Sequence, residues 1–259
     1  MVRPPRIALA LLLAAGCAAT RSGEAPDPGA VDPGPALDSL RVRSEETGAA
    51  LLAGTILLAL PAEKHFLHFE AALLMPDRFR FDVDLSGPLG FGKGRLTVVR
   101  RGETIEALRP DGEIPIRGGE GDEEFRFLDA YGLTPSTAPY LVAPYGGPVD
   151  LFREDRVVAS GIDARSGAHR LILRREDGRR EVLMLEPSGG DLLERRVVEP
   201  GGEVHLVCEY RYDDEDEGRR LAREVKTRVV AEDAYLTVRF SRRERDVPIH
   251  AGLFFIESP

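Results

Sequence analysis

The chain has 259 residues, 42 % of them hydrophobic, and a formal net charge of −9. This acidic balance argues against nucleic acid as a partner and against broad adhesion to anionic lipid. The hydrophobic content is sufficient for a sizeable core, and the length fits one large domain or two small ones.

The amino-terminal stretch has the features of an export signal. Arg3 and Arg6 precede an apolar run at 7–13, too short for a membrane-spanning helix of roughly 20 residues. Ala-Ala-Gly follows and then Cys17, a pattern that resembles the lipobox of bacterial lipoproteins. The resemblance implies that residues 1–16 are a cleaved signal peptide and that Cys17 carries diacylglycerol and an acylated amino terminus. A plain signal peptide with an incidental cysteine is the alternative.

Residues 17–36 predict a flexible tether. They are rich in Pro, Gly, Ala and Asp and contain few large apolar side chains, so they cannot bury enough surface to fold. Residues 37–259 are predicted to form a single domain, which begins with a short helix at 37–46. Lipid on Cys17 would hold this domain at a membrane without crossing it.

Strands dominate the next part of the chain, with candidates at 51–60, 64–74, 95–101 and 104–108. The clearest lies at 79–85, where apolar and charged residues alternate without a break. Period two predicts one buried and one solvated face, as in an antiparallel sheet that is wet on one side. The buried set is Phe79, Phe81, Val83 and Leu85.

The pattern changes at Gly118. Residues 122–131 predict a helix with acids in its first turn, and residues 134–142 predict a second short helix opened by Thr134-Pro135. From Asp155 strands return to the end of the chain. This order predicts an α+β fold: one curved antiparallel sheet, a half-closed β-barrel, covered by a few short helices.

Two short motifs carry a family resemblance. Pro-Asp-Arg-Phe-Arg-Phe at 76–81 and Leu-Ser-Gly-Pro-Leu-Gly at 85–90 resemble the outer-membrane lipoprotein receptor LolB and its relatives. The segments Leu-Thr-Pro at 133–135 and Tyr-Gly-Gly at 145–147 are similar to that family's middle part. The resemblance implies the LolA/LolB carrier fold, with helices over an apolar cavity. It also implies a function, in which lipoproteins are taken from a soluble LolA-like periplasmic carrier and inserted into the outer membrane.

Site residues follow from this resemblance. Leu89 corresponds to the apolar side chain that the family projects toward the membrane, and Phe91 is added because it is an apolar neighbour on the same loop. Phe79, Phe81, Val83 and Leu85 are expected to line the acyl-chain cavity. The alternatives are that these four fill an ordinary core and that the loop tip packs back on the domain.

Other motifs are weak. Gly87 to Lys93 nearly spells a phosphate-binding loop, but Gly94 replaces the Ser or Thr and a strand follows instead of a helix. The acids at 213–224 fit a calcium loop poorly, and His65 and His68 point to opposite faces of a strand. We therefore expect no metal, no cofactor and no catalytic residue. Cys208 is expected to be a buried thiol.

Two functions remain open. The first is a LolB-like lipoprotein at the outer membrane, with its domain facing the periplasm, that binds acyl chains and is not an enzyme. The second is a non-catalytic envelope lipoprotein that docks another protein, and an envelope hydrolase is a weaker third. A carrier needs an apolar cavity of several hundred Å³, whereas a docking scaffold needs a filled core and an exposed apolar patch.

Overall fold

The computed structural model describes residues 31–74, 78–86, 94–102, 104–110, 112, 114–119, 124–125, 140–141, 145, 151–187, 191–213, 221–230 and 233–256. In these ranges one α-helix precedes thirteen strands. The helix, α1, covers Gly34–Thr47. The strands are β1 Ala49–Ala59, β2 Lys64–Leu74, β3 Arg78–Asp84, β4 Arg95–Arg101, β5 Thr104–Leu108, β6 Ile116–Gly118, β7 Val157–Ile162, β8 His169–Arg174, β9 Arg180–Leu185, β10 Leu192–Val198, β11 Val204–Arg211, β12 Glu224–Val229 and β13 Ala234–Arg245.

All thirteen strands form one antiparallel sheet, in the order β6-β5-β4-β3-β2-β1-β13-β12-β11-β10-β9-β8-β7. Each strand pairs with its neighbour in sequence, and β1 joins the two halves by pairing with both β2 and β13. Strands β6 and β7 are the two edges, so the sheet is open, as the expected half-closed barrel requires. The predicted strands at 95–101 and 104–108 coincide with β4 and β5.

Strand β1 shows why the two halves fit together closely. Its residues alternate between buried and half-buried along its whole length, so one face looks into the core. The register with β13 shifts between Ala53 and Gly54, which marks a β-bulge. A Cβ atom on Gly54 would lie 2.0 Å from the carbonyl oxygen of Arg239, so only glycine permits this approach.

The inner face of the sheet carries the main hydrophobic core. Leu37 and Leu40 of α1 have no exposed surface and pack into this core, although the helix lacks a side-chain N-cap. The helix begins at Gly34, inside the segment 17–36 predicted to be a tether. The backbone N–H of Val31 also donates to the carbonyl of Ser160 on β7, 3.2 Å away. Helix α1 thus begins three residues before the helix predicted at 37–46.

The outer face is not uniformly solvated, which corrects the simple reading of the alternation at 79–85. A carboxy-terminal segment, Ile249 to Ile256, lies over β2–β4 and forms a second core cluster with Ala72 and Val99. Arg80 donates to the carbonyl oxygens of Leu253 and Phe255, at 3.1 and 3.5 Å. Asp82, on the same outer face, is 8 % exposed; it pairs with Arg80 at 2.6 Å and accepts a hydrogen bond from Thr97.

Candidate functional site

The inner face of β1–β6 positions all four predicted cavity residues. In the sheet register Phe81 lies between Ala71 of β2 and Val98 of β4. Phe79 and Val83 lie on the same face, two residues on either side of Phe81, and Leu85 continues the row. The exposed fractions of the four side chains are between 0 and 4 %. The structure thus places them together in the core, and their role in holding an acyl chain stays a prediction.

An aromatic group lies at the centre of this face. The ring centroids of Phe69 and Phe81 are 5.3 Å apart, and those of Phe69 and Phe240 are 5.6 Å apart in an edge-on arrangement. Phe240 belongs to β13, so the aromatic contacts cross the strand that joins the two halves. Such pairs add about 0.5–1.5 kcal/mol beyond area burial.

The loop predicted to enter the membrane, with Leu89 and Phe91, lies outside the described residues. Its base is described. The backbone N–H of Leu85 donates to the carbonyl of Gly94 at 3.0 Å, and the backbone N–H of Ser86 donates to Asp84 at 2.9 Å. The hydrogen bonds from Ser86 hold the pKa of Asp84 below its usual value. The β3–β4 loop is therefore attached at one end of the sheet, where hydrogen bonds hold the ends of β3 and β4 together.

The inner face of β7–β13 differs, because it buries charge. Glu181 of β9 and Arg195 of β10 have no exposed side-chain surface, and Arg195 Nε lies 3.5 Å from Glu181 Oε2. Arg175, directly after β8, reaches Glu181 Oε1 at 3.4 Å. Burial is the largest single influence and lowers the pKa of Arg195, but the neighbouring groups, led by the Glu181 carboxylate, together outweigh it, so the net shift is upward. Arg195 therefore stays charged.

Tyr140 ties the middle of the chain to this charged group. Its hydroxyl donates to Glu181 Oε1 at 2.9 Å and accepts from Arg175 at 2.8 Å. The guanidinium of Arg195 lies over the Tyr140 ring, 4.4 Å from the centroid. Burial and the neighbouring Glu181 raise the pKa of the Tyr140 phenol. Tyr140 and Leu141 are helical, in agreement with the end of the helix predicted at 134–142, whereas most of the helix predicted at 122–131 lies outside the described residues.

A second polar group fixes α1 and the middle segment to β10. Tyr212 donates to the carbonyl of Leu192 at 2.8 Å, and the backbone N–H of Leu192 donates to the Tyr145 hydroxyl at 3.3 Å. Arg43 of α1 reaches Asp191 at 3.6 Å. These contacts hold the helix over the inner face by polar bonds as well as by Leu37 and Leu40.

Cys208 is a buried free cysteine, as expected. Burial raises the pKa of its thiol to about 11, so it is protonated and unreactive at neutral pH. Its neighbour Thr227 donates to the sulfur at 3.4 Å. This environment suits a structural cysteine rather than a nucleophile.

The described residues show little that would hold a metal. No group of three or more His, Cys, Asp or Glu side chains in them has the geometry of an ion site. His65 instead contacts Glu63, with 2.9 Å between Nε2 and Oε2. Within the same ranges no helix combines the length and the apolar character that crossing a bilayer requires.

Sequence reasoning missed the buried Glu181–Arg195 pair, although a signal for it exists. In β9 the apolar Leu183 and Leu185 share the parity of Glu181, and in β10 Val197 shares that of Arg195. Period two therefore places both charges on the apolar face. A charged residue at an inward-facing position of a strand indicates a buried ion pair, and the overall number of charged residues does not reveal such a position.

No protein-family model matches the sequence, and a comparison with curated proteins gives no match. Solved structures do resemble it. A LolA superfamily protein from Nitrosomonas europaea superposes with a TM-score of 0.60 at 13 % identity, covering 85 % of this chain and 97 % of that one. A domain assigned to outer membrane lipoprotein sorting, from Vibrio parahaemolyticus, gives 0.57 at 9 % identity, over 85 % and 94 % of the two chains.

A third structure, a DUF1329 family protein from Desulfovibrio piger, gives a TM-score of 0.63 at 10 % identity, over 87 % of this chain and 98 % of that one. The chain therefore has the LolA/LolB-like fold that its motifs predicted. At these identities the similarity establishes the fold and leaves the function to be argued from the chain itself.

Proposed function

We propose that this protein is a membrane-anchored, non-catalytic lipoprotein that binds the acyl chains of lipoproteins or lipids between its helices and the inner face of β1–β6. It delivers them to the outer membrane, as LolB does, from a LolA-like carrier. One observation supports the proposal above all: in the described ranges, every buried side chain on this inner face is apolar. The fold that carries this face resembles that of a lipoprotein-sorting domain.

The physical argument concerns hydrocarbon in water. An acyl chain moved between membranes must be shielded, and each Å² of exposed apolar surface costs about 25 cal/mol. Phe69, Phe81, Val83 and Leu96 present such a surface without a charge that would have to be desolvated. Helix α1 lies on the same, inner side of the sheet, where Leu40 packs into the core and Arg43 contacts Asp191 next to β10.

The anchor and the loop complete the proposed cycle. Lipidated Cys17 keeps the domain at the outer membrane, facing the periplasm. Leu89 and Phe91 enter the bilayer at the end of the sheet where β3 and β4 meet, so that cargo leaves the inner face next to lipid.

The experiment compares delivery by two charge-adding variants. Leu89→Glu should fold normally but lower the transfer of an acylated lipoprotein from carrier to vesicles by about tenfold, because a carboxylate resists entry into hydrocarbon. Ile114→Glu is the matched control, since Ile114 is 79 % exposed in the connection between β5 and β6 at the same end of the sheet. Unchanged transfer by Leu89→Glu, or an equal loss in both variants, would remove the loop from the mechanism.

A docking scaffold is the second candidate, and one observation favours it. Leu253 and Phe255, in the carboxy-terminal segment over β3 and β4, are 38 % and 47 % exposed. Arg101 lies 4.2 Å from the Phe255 ring centroid, so this apolar pair is held in place rather than loose. If the protein binds no acyl chain, this pair is where a protein partner would be sought.

A further inference from the structure

Although the net charge of the chain is negative, one region of its surface is basic. The outer face of β8–β10 carries four arginines, which we call the arginine patch: Arg170, Arg174, Arg180 and Arg196. On the same face of these three strands the described residues include one carboxylate, Glu194, which pairs with Arg196. The local balance is therefore opposite in sign to the total of −9.

Two arginines of the patch face each other directly. Arg174 and Arg180 are register partners on β8 and β9. Like charges opposite each other on a sheet destabilise it. Neither residue, nor Arg170, forms an ion pair with any residue that the structure describes. The nearby acids are engaged elsewhere, because Glu176 binds Arg156 at 2.5 Å and Asp177 binds Arg175 at 3.2 Å.

Apolar side chains lie between these arginines. In the register Val182 is paired with Arg196 on one side and with Ile172 on the other, and Val198 is paired with Arg180. The edge strand β7 places the small residues Ala159 and Gly161 beside Ile172 and Arg170, with the exposed Val158 at its bulge. Arg174 and Arg196 are exposed, whereas Arg170 and Arg180 are half-buried. Guanidinium groups mixed with small apolar side chains suit a surface of phosphates above hydrocarbon.

The described part of the chain begins beside this patch. The backbone N–H of Val31 donates to Ser160 of β7, the strand next to β8. Cys17 precedes Val31 by 14 residues, and a random coil of that length would span about 20 Å. An anchor on Cys17 would therefore keep β7 and its neighbours within a short distance of the headgroups.

We propose that the arginine patch binds the headgroups of anionic phospholipids and so orients the anchored domain on its membrane. The inference rests on the anchoring part of the proposed function and not on cargo binding. It explains why an acidic chain concentrates arginine on one region of its sheet. An acidic protein partner is the competing occupant, and the tether position favours the bilayer.

The test measures vesicle binding without the anchor. The full-length chain with Cys17→Ala is titrated with vesicles of phosphatidylcholine alone, and of phosphatidylcholine mixed with phosphatidylglycerol. Binding should require phosphatidylglycerol and weaken as salt is added. Adding Arg174→Gln and Arg180→Gln should weaken it about 20-fold, since each basic residue near an anionic surface contributes about fivefold.

Arg211→Gln with Arg242→Gln is the matched control. Both residues are exposed on the outer face of β11 and β13, outside the arginine patch and the base of the β3–β4 loop, and the change removes the same charge. Equal weakening by both double variants, or binding that ignores phosphatidylglycerol, would overturn the proposal. Tighter binding of polyglutamate than of phosphatidylglycerol vesicles would overturn it in favour of an acidic protein. None of these outcomes bears on the carrier proposal, because the assay uses neither the lipid anchor nor the acylated cargo.

Discussion

The two halves of the sheet have the same antiparallel architecture but bury different kinds of side chain on their inner faces. On the inner face of β1–β6 the buried side chains of the described residues are apolar, with Phe69 and Phe81 at the centre. On the inner face of β7–β13 the buried set includes Glu181, Arg195 and Thr227. The first half offers hydrocarbon a surface with no charge to desolvate, whereas the second half uses charge to fix one arrangement.

The buried charges have a specific structural consequence. Tyr140 contacts Glu181, Arg175 and Arg195 together, so it docks on β8–β10 through specific polar contacts. Buried polar networks rigidify when they are satisfied and are costly when broken. We therefore expect β7–β13 to depend on its buried charges for stability, whereas β1–β6 depends on apolar packing.

The largest expected effect comes from breaking the ion pair. Glu181→Leu should lower the free energy of unfolding by about 3–5 kcal/mol, because Arg195 is left as an uncompensated buried charge. Urea unfolding measures this loss. The double variant Glu181→Leu, Arg195→Met should recover only the part due to Arg195, since the buried Arg175 and the Tyr140 hydroxyl still lose Glu181. A loss below about 1 kcal/mol for the single variant would mean that this half does not depend on its charges.

The free energy of unfolding, measured as a function of pH, tests the buried ionisable groups of β7–β13. The pKa of the Cys208 thiol is about 11 in the folded protein, against 9.0 for an unperturbed thiol. The folded state keeps its proton while the unfolded chain loses it, so this stabilisation is complete below pH 9 and is lost as the pH rises toward 11. Two pKa units correspond to about 2–3 kcal/mol at a fully buried site.

The thiol can be separated from the buried tyrosines, whose raised pKa values act in the same direction. Cys208→Ala should make the decline in unfolding free energy between pH 9 and pH 11 shallower without abolishing it. An identical pH dependence in both proteins would show that the thiol is not the titrating group.

A smaller effect distinguishes a ligand-holding face from a packed one. Val83→Phe adds volume to the apolar half and should weaken the binding of a fluorescent fatty acid about tenfold, because acyl chains are proposed to occupy this face. Val83 is 0 % exposed, so the same change should also cost about 1–3 kcal/mol of unfolding free energy through overpacking. Val197→Phe adds the same volume to the inner face of β10, where Val197 is 2 % exposed. It should cost about 1–3 kcal/mol through overpacking and leave fatty-acid binding intact. Fatty-acid binding that is weakened by Val197→Phe and unaffected by Val83→Phe would place the ligand on β7–β13 instead of β1–β6.

Much of the sheet could be predicted because its strands obey period two. The alternation at 79–85 fixed both the strand and its inner row, and β4 and β5 lie where the pattern put them. What could not be predicted depends on contacts across long stretches of chain. The cover over the outer face of β2–β4 is made by Phe254 and Ile256, and Arg80 donates to the carbonyls of Leu253 and Phe255, more than 170 residues away.

The first helix begins earlier than predicted for a similar reason. The composition of 17–36 favours disorder, yet Pro33 and Gly34 open α1, whose stability comes from burying Leu37 and Leu40 against the sheet. The arginine patch was hidden by the net charge, because a sum over the chain carries no information about which face of which strand each charge occupies.

The most direct test of the central claim is the lipid content of the protein itself. The protein is purified from its membrane and unfolded, and the released molecules are extracted with solvent and identified by mass spectrometry. The account predicts acyl-chain lipid or acylated peptide in near-stoichiometric amount, beyond the lipid attached to Cys17, and its loss in Val83→Phe but not in Val197→Phe. Protein that carries no such lipid, and takes up none when it is offered, would contradict the claim that β1–β6 shelters hydrocarbon.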